Sequence, residues 1–354
     1  MAQAPTPDAV LEETYRLFLE HERNVSLAAR AAGLARQTFR HRVSAYERRF
    51  GEQAAPKAGA PLIPTAEVIP EYDGPISELL DQIEKHTERR IANSEAKRWR
   101  RFKVPHKGPY ALMFFGDPHI DDNGVNMKLL RSHCDLAART EGLYAINIGD
   151  TTNNWAGRLV HLWSNQDTSS HTARRLAKWL LSEAGVPWFL WLHGNHDGWS
   201  GPVGKDWFEG CKPNFVTMEN WGAKITLVAP NGHELRLWAQ HNFKGHSMWN
   251  NMHGLEKAAQ MKDWAHLYVA GHHHDFGIRQ GENPDRNFVY NLARARGYKF
   301  EDEHALVHDF PSFKHGASIL AAIDPSAQGP NVVQCFADPF EGADYLKFKR
   351  AKAG

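Results

Sequence analysis

Between residues 110 and 275 one local pattern recurs five times: a short apolar run, then a turn built of Asp, Asn, His and Gly. YALMFF (110–115) leads into Gly116-Asp117-Pro118-His119. LYAINI (143–148) leads into Gly149-Asp150, then Thr151-Thr152-Asn153-Asn154. PWFLWL (187–192) leads into His193-Gly194-Asn195-His196-Asp197. ELRLWAQ (234–240) leads into His241-Asn242-Phe243-Lys244-Gly245-His246, and HLYVA (266–270) into Gly271-His272-His273-His274. Apolar runs this short read as buried strands, and helical patterns near 126–139 and 170–184 separate them, so the region is an α/β layer structure. Open α/β sheets gather their ligand sites beyond the carboxyl ends of their strands. The pattern therefore predicts that five strand ends bring Asp, Asp, Asn, His and a His-x-His to one place.

Further strand patterns follow at 223–229, 287–292, 317–323 and 332–336. The 354 residues give a prior of about two domains. Histidine, at 21 residues, is well above ordinary usage and raises the expectation of a metal site. No apolar run approaches the ~20 residues of a membrane span. The first residues carry neither a basic nor an apolar signal region, and Cys134, Cys211 and Cys335 are too few and scattered for a disulfide framework. The expected location is the cytoplasm.

The ordered set D-x-H, G-D, G-N-H-D, H and G-H-x-H resembles the signature of the calcineurin-like metallophosphoesterases, over residues 110–275 and into the strand-rich C-terminus. The resemblance implies an α/β fold, a four-layer α/β/β/α sandwich over about 105–354, and a phosphoester hydrolase with two divalent metal ions. It implies that Asp117, His119, Asp150 and His274 hold one ion, and that Asp150, as the bridge, with Asn195, His241 and His272 holds the other. His196 would be the general acid, oriented by Asp197. Mixed nitrogen and oxygen donors favour Mn²⁺, with Fe or Zn²⁺ as alternatives. The chemistry has its own logic: two cations lower the pKa of a water between them and clamp the phosphoryl oxygens. His246 is the alternative to His241, while His273 alternates away from its neighbours and His193 reads as a core residue. Asn153, Asn154, Arg294 and Arg296 are candidate substrate contacts. The segment 155–175 could cover the site, with Arg158, His161 and His171 on its surface. The twelve tryptophans all fall between Trp99 and Trp264. Most read as core, with Trp155 or Trp199 as candidates to line a cleft.

Residues 1–50 form a helical block. Thr6-Pro7-Asp8 opens a first helix, Asn24 or Ser26 caps a second that ends at Gly33, and a third covers about 36–49. The string AARAAGLARQTFRHRV resembles a helix-turn-helix of the Fis type. That resemblance makes Arg36, Gln37, Thr38, Arg40, His41 and Arg42 candidate DNA contacts. Residues 51–74, rich in Pro, Ala and Gly, read as a linker, and 75–104 as a basic connecting helix. Residues 30–49 hold six arginines against one glutamate, and 84–107 nine basic residues against three acidic, although the whole chain is only +1. A basic arm thus precedes an acidic catalytic region, an arrangement phage-like in character. The expected function is a phosphodiesterase or nuclease brought to DNA by the helix-turn-helix. The rivals are a small-molecule or phosphoprotein phosphatase whose N-terminus serves assembly, and a DNA-binding regulator. Helix-turn-helix proteins often dimerise, but nothing in the sequence marks a dimer seam.

Overall fold

The computed structural model describes residues 6–51, 75–299 and 316–353. The linker expected at 51–74 lies, beyond Gly51, outside the described residues. The chain divides into two compact units, Met1–Leu80 and Asp81–Gly354.

In the first unit α1 (Asp8–Glu20), α2 (Val25–Ala31) and α3 (Arg36–Phe50) bury one apolar stripe each. Asn24, not Ser26, caps α2: its side-chain oxygen accepts from the N–H groups of Ser26 and Leu27. Leu11, Tyr15, Phe18, Ala28, Ala29, Phe39, Val43 and Tyr46 form the core, with Tyr15 stacked on Tyr46 at 4.2 Å between ring centres. Ala28 and Ala29 are the small residues that let the helices approach closely. On the far face of α3, Arg36, Gln37, Thr38, Arg40 and His41 are exposed and Arg42 is half-buried.

α4 (Ile76–Lys97) follows, and over residues 76–94 its side chains are almost all exposed. The helix does not continue through the basic run as the sequence suggested. Trp99 takes a left-handed backbone (φ 56°), and Arg100–Lys103 is strand β1, parallel to β6 (Gly222–Val228). The sheet overrides helical propensity because it neutralises the charges: Arg100 pairs with Glu219 at 2.9 Å, Arg101 with Glu234 at 2.5 Å, and Arg98 with Asp263 at 2.6 Å.

Among the described residues of the second unit, twelve strands form two six-stranded sheets. One has the order β12 (Val333–Phe336), β11 (Ser318–Ile323), β2 (Tyr110–Phe115), β3 (Leu143–Asn147), β4 (Trp188–His193), β5 (Thr217–Asn220). The other runs β1, β6, β7 (Glu234–Gln240), β8 (Leu267–Ala270), β10 (Phe288–Arg294), β9 (Gly277–Asn283). Alternation along the strands makes the layers. Tyr110, Leu112 and Phe114 of β2 meet Leu235, Leu237 and Leu267 of the second sheet in the central core. Ala111, Met113 and Phe115 face outward against α5 (Met127–Arg139), α6 (Ser170–Lys178), α8 (Gly201–Cys211) and α10 (Pro339–Ala353). On the other side Trp238, Tyr268 and Leu292 pack on α9 (His253–Met261). The result is helices, sheet, sheet, helix. Among the described residues no helix is long and apolar enough to cross a membrane.

One buried and one half-buried histidine make this fold acid-sensitive. His133 is 3% exposed, with Nδ1 2.8 Å from the Tyr298 hydroxyl, and burial lowers its pKa to about 4; burial also lowers His266 to about 4. Unfolded, each titrates near 6.5. The unfolded chain therefore takes up protons first, and stability falls as pH drops from about 6.5 towards 4. For His133 alone the loss amounts to about 3 kcal/mol at the acid end. Urea midpoints measured across this range should fall, and His133→Gln should flatten the fall.

Candidate metal centre

β2, β3 and β4 are mutually parallel, as are β7 and β8, so their carboxyl ends open on common sides. Asp117 and His119 follow β2, Asp150 follows β3, Asn195 to Asp197 begin α7 (Asn195–Trp199) after β4, His241 follows β7, and His272 to His274 follow β8. Three groups of these side chains have ligand atoms within 4.8 Å of one another: Asp117, His119 and His274; His119, Asp150 and His196; and Asp150, His241 and His272.

The second half of the cluster converges tightly. His241 Nε2 is 3.0 Å from Asn195 Oδ1, 3.1 Å from His272 Nδ1 and 3.2 Å from Asp150 Oδ2. His241 Nδ1 points at the Ile148 carbonyl, 3.0 Å away, which holds a proton on Nδ1 and turns Nε2 towards the cluster. On the other side His119 Nδ1 lies 2.8 Å from Asn153 Oδ1, while His119 Nε2 is buried with no hydrogen-bond partner among the described residues. Asp117 Oδ1 is buried and likewise without one. Buried polar atoms are normally satisfied. Orphaned donors on an Asp and a His, directed into one cluster, fit a cation.

Electrostatics agree. Burial pushes Asp117 up to about 7. Burial also acts to raise Asp150, but the hydrogen bond and charge of His241 outweigh it and hold the carboxylate below its usual range. Burial opposes the charge on His241, yet Asp117 and Asp150 raise it to about 9. Burial keeps His119, His272 and His274 neutral, the latter two near 4. Neutral imidazoles around buried carboxylates have the donor chemistry of a site for hard-to-borderline divalent ions.

Backbone geometry is committed to this arrangement. His119, Asp150, His272 and His274 all have positive φ, from 37° to 72°, a region that costs non-glycine residues energy and clusters at functional sites. The His196 N–H donates to Asp150 Oδ1 at 2.8 Å and the His272 N–H to Asp117 Oδ2 at 2.6 Å. A Cβ on Gly194 would stand 2.2 Å from Asp150 Oδ1, and one on Gly271 2.5 Å from Asp117 Oδ1.

Several residues occupy places other than those read from the sequence. Asp197 bonds the backbone around His196, not its ring. Its oxygens accept from the N–H groups of Gly194 (2.9 Å) and Thr151 (3.2 Å), so it ties two loops together. The Asn153 carbonyl takes His196 Nδ1 instead. Asn153 is 1% exposed and clamps His119, and Asn154 donates to the His196 carbonyl at 2.6 Å; both build the site wall. Arg294, 1% exposed, donates to the Gly271 carbonyl at 2.8 Å and so supports the His272 turn from behind. Arg296 is half-buried near the His274 carbonyl and the Phe276 ring. His246 is exposed beside His273, outside the three groups, and His193 is buried against Phe208. Arg158, His161 and His171 are exposed.

The sequence reading missed a second tier. Asp121 accepts from the Asn153 N–H at 2.8 Å and from Gln166 at 2.8 Å; Asp122 accepts from the Asn153 side chain at 2.7 Å and pairs with Lys299 at 2.9 Å. Asp121-Asp122, two residues past His119, was a visible acidic signal. Lys299 gave none, being joined to the site only by the fold.

No family model and no curated protein matches the sequence. Among solved structures, a conserved uncharacterized protein and predicted phosphoesterase from Streptococcus pneumoniae TIGR4 is similar over 66% of this chain and 100% of its own, at 9% identity and a TM-score of 0.30. Chaetomium thermophilum Vps29 is similar over 64% of this chain and 94% of its own, at 12% identity and a TM-score of 0.30. At these scores the fold and the site rest on the strand order and side chains described above.

Because Gly194 abuts Asp150, Gly194→Ala must displace the carboxylate that two of the groups share. The parent should show an Mn²⁺-dependent rise in Tm, and the variant should lose it. An equal rise in the variant would separate Asp150 from metal binding.

Proposed function

We propose that this chain is a two-metal phosphodiesterase of the calcineurin-like metallophosphoesterase kind, a nuclease that its first unit recruits to DNA. One observation carries the reading: the Asp150 carboxylate lies 3.2 Å from His241 Nε2, 3.9 Å from His196 Nε2 and 4.0 Å from His119 Nε2. All three distances are to Oδ2, so this one carboxylate adjoins both halves of the cluster. Asp117, His119, Asp150 and His274 would hold one divalent ion, and Asp150, Asn195, His241 and His272 the other, with Mn²⁺ favoured over Fe or Zn²⁺. A pair of such ions supplies a water of lowered pKa and neutralises phosphoryl oxygens.

The chain's own residues do the rest. Asn153 fixes His119 through its side chain and His196 through its carbonyl. His196 Nε2 then faces Asp150 Oδ2, and the imidazolium form, which burial disfavours and the Asp150 charge favours, would give its Nε2 proton to the leaving oxygen, a contribution of about 10²–10⁴ in rate. Asp197 keeps the His196 turn locked against the Asp150 turn. DNA recruitment draws support from the exposed Arg36, Gln37, Thr38, Arg40 and His41 on α3, in the helix-turn-helix reading, and from exposed Lys85, Arg89 and Arg90 on α4. Arg98, Arg100 and Arg101 contribute less, since acidic partners hold them. The three cysteines are free thiols, which supports a reducing cytoplasm.

The test is Mn²⁺-dependent hydrolysis by the full-length protein of an aryl phosphodiester, the matching monoester, and single- and double-stranded DNA. Diester and DNA should be cleaved, with DNA cleavage falling steeply with salt. Asp150→Asn and His241→Ala should each lower turnover more than about 100-fold. Parent-like rates in both variants, or turnover of the monoester with DNA untouched, would overturn the reading.

A further inference from the structure

Two tryptophans beside the candidate centre are placed where core packing does not account for them. Trp188 and Trp191 are fully buried, as core residues should be, whereas Trp199 is 37% and Trp221 45% exposed. The Trp199 ring lies 3.9 Å from the His196 ring, tilted by 36°. The Trp221 ring lies 5.4 Å from the His241 ring. His196 and His241 both face Asp150, as does His119, so indoles adjoin two of the three histidines around the shared carboxylate.

Trp221 carries a further mark. Its φ is 68°, a region that bulky side chains avoid. It is held there between two ligand-bearing strand ends: its N–H donates to the His193 carbonyl at 3.0 Å, and its carbonyl accepts from the His241 N–H at 2.8 Å. Glycine would adopt this backbone without strain. A strained, half-exposed indole beside a metal ligand points to a task for its ring.

We propose that Trp199 and Trp221 are stacking faces for the bases on either side of the scissile phosphate, so that the substrate is an unpaired nucleic-acid strand. This rests on the phosphodiesterase reading above. A phosphodiester within a strand carries one nucleoside on each side, which calls for two faces flanking one phosphate site. Stacking on an aromatic ring accepts any base but requires a free base face, and the bases of an intact duplex have none. Lys244, exposed three residues beyond His241, adds positive charge of the sign a phosphate backbone needs.

The experiment uses the full-length protein. In EDTA, where turnover stops, fluorescence anisotropy compares a labelled single-stranded tetranucleotide with its abasic counterpart. The two carry equal charge, so basic surfaces elsewhere bind both alike and the difference isolates stacking. The parent should prefer the tetranucleotide by about tenfold or more. Trp221→Gly suits the left-handed backbone and should fold, as a thermal melt will show; Trp221→Gly and Trp199→Ala should each cut the preference about fivefold or more. Trp221→Phe should retain most of it. In Mn²⁺, the kcat/KM preference for single-stranded over duplex DNA should fall in the same order. Equal binding of the two ligands by the parent, or a preference unmoved in both variants, overturns the proposal. Failure to hydrolyse any phosphodiester, with a tryptophan-dependent base preference intact, removes the phosphodiesterase reading and leaves the stacking faces standing.

Discussion

A carboxylate buried to 1% exposure cannot be left uncompensated, and the ends of β3, β4 and β7 are organised around this one in Asp150. Its Oδ1 takes the His196 backbone N–H and its Oδ2 faces His241. Its own backbone carbonyl accepts from the His119 N–H at 3.0 Å. Three loops from three strands are thus held to one residue. The left-handed conformations at His119 and Asp150 persist because these bonds over-determine them. Close backbone approach at Gly194 and Gly271 is the steric condition for the same convergence.

How much of this was legible depends on where a strand lies in its sheet. β2, β3, β4, β7, β8, β10 and β11 are interior strands covered on both faces, and each reads in the sequence as an apolar run. β1, β5 and β9 are edges. Their sequences, RRFK, TMEN and GIRQGEN, carry polar residues where no neighbouring strand covers them. RRFK in particular continues a helical basic run, and only distant partners, the β6 backbone with Glu219 and Glu234, make it a strand. The edge β12 was legible because Val333 is still buried against the central core.

The same division holds at the site. Residues that end interior strands, Asp117, Asp150 and His241 among them, announced themselves by chemistry at a turn. Asp197, Asn153 and Arg294 are defined instead by which backbone atoms face them, and no local pattern encodes that. Arg294 was only a candidate substrate contact in the sequence, from its place at the end of an apolar run. Its 1% exposure and its bond to the Gly271 carbonyl make it a prop for the His272 turn. Trp221 could not be singled out at all, since its strained φ is set where the ends of β4 and β7, strands of different sheets, both bond its backbone.

The strand order also fixes when such a centre can exist. β2 lies between β3 and β11, and Gly116, just before Asp117, donates its N–H to the Ala317 carbonyl. Asp117 leaves the ribosome some 200 residues ahead of its flanking strand, β11 (Ser318–Ile323), with His274 emerging between them. A nascent chain therefore holds an incomplete ligand set and an open sheet edge at β2, which invites pairing with other chains. Translation itself delays the candidate metal centre: its frame closes only as β11 arrives, and messages truncated before β11 would yield fragments with an open, aggregation-prone edge.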